Sequence, residues 1–190
     1  SQLLFGECCI ITVVEKNGWI KIVNKLDAYT GWCQQTHFQE IDDNHYYLEE
    51  NNLTLDWINE VDYNGHIMMV PMGSSLTAMN NGNIFWRRNT VNYAGQLWDS
   101  SSAKPTDLWG GRSVFGIDCS GFTQLVYKFL NIHLLRDAQQ QATQGELIDF
   151  LQQAHCGDLA FFDNEEGQII HVGILLNANE IIHASGKVRI

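Results

Sequence analysis

Gly116-Ile117-Asp118-Cys119-Ser120-Gly121-Phe122, running on to Leu125, Val126, Phe129 and Leu130, decides how the C-terminal half of this 190-residue chain is read. The large apolar residues recur every three or four positions, the period of a helix with one buried stripe. Gly110-Gly111 and Gly116 form a loop ahead of it, so the helix starts near Asp118-Cys119. A thiol placed there meets unpaired backbone N–H groups and the positive end of the helix dipole. Both favour the thiolate, which is the nucleophilic form. The Cys119 N–H is also placed to donate to an oxyanion, and Gly121 lets the helix approach a sheet closely. The competing reading is a buried structural cysteine at a helix start.

Further along the chain, a second, weaker helix is expected over 138–152, with Leu147, Ile148 and Leu151 on one face. Strands then follow at Asp158–Phe162, Ile169–Leu176 and Ile181–Ala184, the last two joined as a hairpin by Asn177-Ala178-Asn179-Glu180. Helices followed by antiparallel strands make an α+β layer fold. His171 opens one hairpin strand and His183 lies on the other, within cross-strand reach. A cysteine nucleophile needs an imidazole to take its proton, and that imidazole needs a third polar group to fix its tautomer. Cys119, His171 and His183 are the candidates for these three catalytic roles. Taken singly, each histidine reads as a hydrogen-bonded strand residue. A metal site built on the pair would need more ligands, with Asp158 and Asp163 as the only suggestions. No metal and no cofactor is expected. His37, His45, His66, His133 and His155 read as surface or loop residues.

Residues 1–98 have a different grammar, with short β-branched or alternating runs at Cys9–Val14, Trp19–Val23 and Ile67–Val70. Turn signals at Lys16-Asn17-Gly18 and Asn80-Asn81-Gly82 punctuate them. Turns about ten residues apart suggest small antiparallel barrels. The expected division is a β module at 1–43, a second at 44–98, and the α+β domain at 99–190. Trp19, Tyr29, Trp32 and Trp57 are assigned to barrel cores, with the alternative that Tyr29 and Trp32, beside Gly31, face a ligand groove.

Eleven basic against 22 acidic residues give a net charge of −11 with no Lys/Arg cluster. Such a chain repels nucleic acid and anionic membrane, and both are set aside as partners. No apolar run approaches the ~20 residues that span a bilayer, and Ser1-Gln2 does not open a secretory leader. A cytoplasmic location is therefore expected, with a periplasmic or secreted one as the alternative if a leader has been removed. The 5 cysteines include no CxxC pair, which argues against a zinc cluster. Apart from Cys119 they read as small buried hydrophobes in a reducing compartment.

Several motifs occur in order: Leu108-Trp109-Gly110-Gly111, Gly116 to Phe122, Arg136-Asp137-Ala138 with Gln140, Gly157-Asp158-Leu159-Ala160-Phe161-Phe162, His171-Val172-Gly173-Ile174, and Ile182-His183-Ala184. With these, residues 99–190 resemble the NlpC/P60 family of bacterial cell-wall cysteine peptidases. Trp19 and Tyr29-Thr30-Gly31-Trp32 give the first half a looser resemblance to bacterial SH3 (SH3b) modules. The resemblance implies a papain-like catalytic domain with Cys119 as nucleophile, His171 as base and His183 as the orienting residue. It implies cleavage between γ-D-glutamate and a diamino acid, meso-diaminopimelate or L-Lys, in wall-derived peptides. It also implies that Asp137 binds the free amine of an N-terminal L-Ala, and that Trp109 and Ser120 line the substrate cleft; Asp118, beside the nucleophile, and Tyr29, from its place at the Gly31 turn, are further substrate-binding candidates. Packing beneath the glycine turn is the competing role for Trp109, and capping of the 138–152 helix that for Asp137. Asp107 stands where the family often has Tyr. The chain also ends seven residues after His183, where relatives continue, so C-terminal strands are expected to be missing. Two other functions remain open: a non-catalytic peptidoglycan-binding protein, and a thiol amidase or acyltransferase using the same three residues.

Overall fold

The computed structural model describes residues 2–49, 52–99 and 116–190. Two compact units make up the chain, Ser1–Pro105 and Thr106–Ile190.

The first unit is built almost wholly of strands. β1 (Cys9–Val14), β2 (Trp19–Asn24) and β3 (Thr30–Gln34) form an antiparallel meander. Period-two alternation sends Ile20, Ile22 and Asn24 inward from β2. After the single-turn α1 (Asp43–Tyr46), β4 (Asn52–Thr54) pairs with β9 (Leu97–Asp99). β5 (Ile58–Tyr63), β6 (His66–Pro71), β7 (Asn83–Trp86) and β8 (Asn89–Asn92) make a sheet in the order β6-β5-β8-β7. Its core is Val61, Val70, Leu76, Ile84, Val91 and Tyr93, with Phe5 packed on it from the chain's first residues. The Ser75 N–H donates to the Phe5 carbonyl at 2.8 Å. At Gly6 (φ +78°) a Cβ would stand 1.8 Å from the Ser75 carbonyl oxygen, so only glycine fits. These contacts tie residues 1–43 to the second stretch within one unit. Three tryptophans assigned to barrel cores are instead exposed: Trp19, Trp32 and Trp57. Trp19 and Trp32 take the outward positions of their strands, opposite Gln34 and Lys21, while aliphatic side chains fill the interior.

In the second unit, α2 (Cys119–Phe129) packs against an antiparallel sheet of β10 (Leu159–Asp163), β11 (Ile169–Asn177), β12 (Glu180–Ala184) and β13 (Val188–Arg189). Phe122 is buried with Ile174, Ile182 and Ala184, and Val126, Tyr127 and Leu159 close the cluster. The architecture is mixed helix and sheet with strands predominating. The helix expected over 138–152 is corrected to a four-residue α3 (Ala138–Gln141) and a single 3-10 turn, Leu151–Gln153. Gly145 takes φ +77° and interrupts the run, and among the described residues Leu147, Ile148 and Leu151 stay exposed.

Candidate active site

Asp118 is the N-cap of α2. Its backbone is extended and its Oδ1 accepts from the Gly121 N–H at 2.6 Å, satisfying one of the helix's orphan donors. The next residue, Cys119, is therefore the first of the helix, and its side chain is partly buried. The residues on either side of it are both held by Arg136. Nη1 of Arg136 donates to Asp118 Oδ1 at 3.1 Å and to Ser120 Oγ at 3.0 Å, while Nη2 pairs with Asp118 Oδ2. Burial works against the Asp118 carboxylate. The hydrogen bonds from Arg136, Gly121 and Ser120 outweigh it and hold the carboxyl below the usual carboxylate range. A second strut comes from α3. The fully buried Gln141 amide donates to the Ser120 and Leu135 carbonyls and accepts from Thr123 Oγ1 at 2.7 Å.

The hairpin β11–β12 forms where its turn residues place it, with Ile174 opposite Ile182 and Asn177 opposite Glu180. His171 and His183 stand diagonally across it. His171 Nε2 lies 2.8 Å from His183 Nδ1, with the rings perpendicular and 4.9 Å apart. Phe162 of β10, paired with His171, sets its ring 5.9 Å from the imidazole on the other side. At Gly173 a Cβ would come within 3.1 Å of the His183 Cβ and of the Ile182 carbonyl, so glycine lets the two strands approach at the pair. Burial first, then His183 and Arg189, hold His171 below the ordinary histidine range. Because Nε2 faces His183, Nδ1 is the nitrogen left for another partner. Among the described residues no hydrogen bond engages it, and none joins Cys119 Sγ to either histidine.

The remaining candidates fall as follows. Asp137, exposed, caps α3, and its N–H donates to Gln140 Oε1 at 3.1 Å. Ser120 is buried and Asp118 half exposed, both engaged by Arg136. Tyr29 belongs to the first unit, where its N–H donates to Asp27 Oδ1 at the entry to β3. Trp109 and Asp107 lie outside the described residues. Asp158 closes the 155–158 turn by accepting from the His155 N–H, and among the described residues no group of three or more His, Cys, Asp or Glu is placed to hold a metal ion. No helix among them is long and apolar enough to cross a membrane. Sequence reasoning gives Arg136 no role. The available signal is a basic residue beside a helix-capping aspartate in a chain with only 11 lysines and arginines.

Residues 108–190 match the NlpC/P60 family. The matched stretch contains α2, α3 and all four strands of the sheet. Over 97% of its length the chain is 28% identical to a Bacillus cereus protein named gamma-D-glutamyl-L-lysine dipeptidyl-peptidase, and spans 66% of that protein. A Bacillus subtilis protein of the same name is 42% identical over 79 residues, 40% of this chain and 26% of the relative. The probable endopeptidase NlpC of Escherichia coli is 40% identical over 79 residues, 40% of this chain and 51% of the relative. The crystal structure of an NlpC/P60 family protein from Bacillus cereus superposes with a TM-score of 0.76 at 20% identity. The match covers 98% of this chain and 74% of that one, so the likeness of fold takes in the strands of the first unit as well as the stretch matched by the family.

Proposed function

We propose that this protein is a cysteine peptidase that hydrolyses the bond between γ-D-glutamate and a diamino acid in bacterial cell-wall peptides. The observation that carries the reading is the 2.8 Å contact between His171 Nε2 and His183 Nδ1, on a hairpin packed against the helix that Cys119 heads. For His171 to take a proton at Nδ1 it must carry its own proton on Nε2 and donate it to His183 Nδ1. The pair's geometry suits that tautomer. Cys119 Sγ then attacks the γ-glutamyl carbonyl carbon, and its proton passes to His171. The oxyanion takes the Cys119 N–H at the helix start. Collapse of the tetrahedral species expels the amine of the diamino acid, which receives the proton from His171. Water, deprotonated by His171, releases the acid and restores the thiol. The thiol–imidazole hydrogen bond of such sites often tightens only when substrate is bound.

The relatives' printed names support the substrate class, and the net charge of −11 suits a small peptide better than an anionic polymer. The exposed Asp137 carboxylate is read as the receptor for a free N-terminal amine, and the strands of 1–98 as SH3b-like modules.

The test is incubation with L-Ala-γ-D-Glu-L-Lys and its meso-diaminopimelate counterpart, followed by mass spectrometry. Release of L-Ala-D-Glu, lost by about 10⁴-fold or more in Cys119→Ala, is expected. Intact peptides in the wild type refute the reading. N-acetylated substrate should be cut more slowly; equal rates exclude the role of Asp137. The lowered His171 keeps the base unprotonated at neutral pH, so activity should fall only as the pH drops below the ordinary imidazole range, about 6.5.

A further inference from the structure

Arg136 occupies an unusual place in the second unit. It is only 9% exposed, yet its guanidinium reaches the residue before Cys119 and the residue after it. Neither contact is needed to make α2 a helix. The Asp118 carboxylate already caps it through the Gly121 N–H, and Phe122, Leu125 and Phe129 already bury its apolar stripe. The cap carries a hazard for a nucleophile, however. A bare carboxylate one residue away opposes the negative charge that a reactive thiolate must carry, partly cancelling what the helix terminus contributes. An uncharged cap such as Ser or Asn would avoid this, so the aspartate calls for a compensating cation. Arg136 supplies it as a planar fork, with two nitrogens set on the two carboxylate oxygens.

We propose that Arg136 is a positioning residue for the Cys119 nucleophile. Its single guanidinium fixes both neighbours of the thiol and cancels the charge of the Asp118 cap, so that the carboxylate organises the helix start without repelling the thiolate. Gln141 completes the bracket from the same segment by holding the Ser120 carbonyl at 3.0 Å. Residues 136–141 thus act as a brace on the nucleophile. The inference rests on Cys119 being the reactive thiol, but it does not depend on the peptide substrate.

The experiment is alkylation by iodoacetamide at pH 7 with the rate at Cys119 read by peptide mass spectrometry, in wild type, Arg136→Gln, Asp118→Asn and the double variant. Thermal melting checks that each is folded. Arg136→Gln should slow Cys119 by about three-fold or more, the effect of a bare unit charge at close range near a protein surface. Asp118→Asn keeps a good cap and removes the charge, so it should react at least as fast as wild type. The double variant should recover the Asp118→Asn rate, because no carboxylate is left to neutralise. A merely structural Arg136 would leave the double variant as slow as Arg136→Gln, and that outcome overturns the proposal. So does an Arg136→Gln rate equal to wild type. Should Arg136→Gln not fold, the double variant against Asp118→Asn decides alone: equal rates support the charge role and a further loss overturns it. If wild-type Cys119 reacts no faster than the exposed Cys156, the nucleophile assignment itself falls. Failure to cleave wall peptides, by contrast, would leave these rates intact.

Discussion

Two aspartates stand at helix starts in the C-terminal unit, and the helices they open differ greatly in length. Asp118 opens an 11-residue helix; Asp137 opens one of four residues. Both starts have extended backbone at the cap and polar groups that close it. What differs is the surface available beyond the first turn. Along α2, Phe122, Leu125 and Phe129 are each no more than 2% exposed, with Phe122 set against the β11–β12 hairpin. Beyond α3 the chain meets Gly145 at φ +77°, and Leu147 is 92% exposed. A cap satisfies donors and starts a turn, but extension through several turns depends on burying a stripe. The shorter helix has another use: freed from packing a long face, it sends Gln141 back into the first one.

The sharpest way to break this comparison is to remove what α2 has and the later segment lacks. Phe122→Ala should destabilise the C-terminal unit by about 3–5 kcal/mol, read by chemical denaturation. A loss under about 1 kcal/mol would mean that burial does not explain the length of α2. Next in size is the link between the two regions. Gln141→Ala removes the buried amide that serves the Ser120 and Leu135 carbonyls and the Thr123 hydroxyl, leaving the Thr123 hydroxyl joined to the Ser120 carbonyl at 2.9 Å, at a cost of about 1–3 kcal/mol. If the cost is near zero, α3 is not a strut.

The same contrast shows what was legible in the sequence. The stripe of α2, the hairpin turn at 177–180 and the juxtaposition of His171 with His183 follow from local periodicity and turn chemistry, and these emerged at the expected residues. The strands β1 and β6 were legible for the same reason. The 138–152 helix was misread because a few apolar residues at helical spacing say nothing about whether a surface awaits them. The tryptophans of the first unit were misplaced because aromatic content does not reveal which of two strand faces points inward. Arg136 went unassigned because its partners lie 16 and 18 positions away, beyond the range of any local pattern.

A smaller effect separates the caps by charge. Asp118 is held below the usual carboxylate range, so the unfolded chain takes up its proton first as the pH falls. The contribution is complete above the unfolded carboxylate value, about 3.9, and is lost as pH falls through the lower folded one. The side chain is 55% exposed, so solvent screening keeps the contribution below about 1 kcal/mol. Asp118→Asn, which preserves capping, should be less stable than wild type by about that amount at pH 7. The gap should narrow as the pH falls below about 3.9. A gap that persists unchanged in acid would show that the ion pair with Arg136 is not its source.

The smallest expected effect lies at Leu147. On sequence grounds it belongs to the same kind of stripe as Leu125, and its replacement by a charge should then cost several kcal/mol. In the structure it is 92% exposed, with nothing to lose on transfer to water. Leu147→Lys should therefore change stability by no more than about 0.5 kcal/mol, in a denaturation experiment run beside Phe122→Ala. The pair of values carries more than either alone. A large cost at 122 with none at 147 means that one periodic pattern found a sheet and the other did not. A cost above about 1 kcal/mol at 147 would mean that the segment covers a surface after all, and that burial no longer separates it from α2.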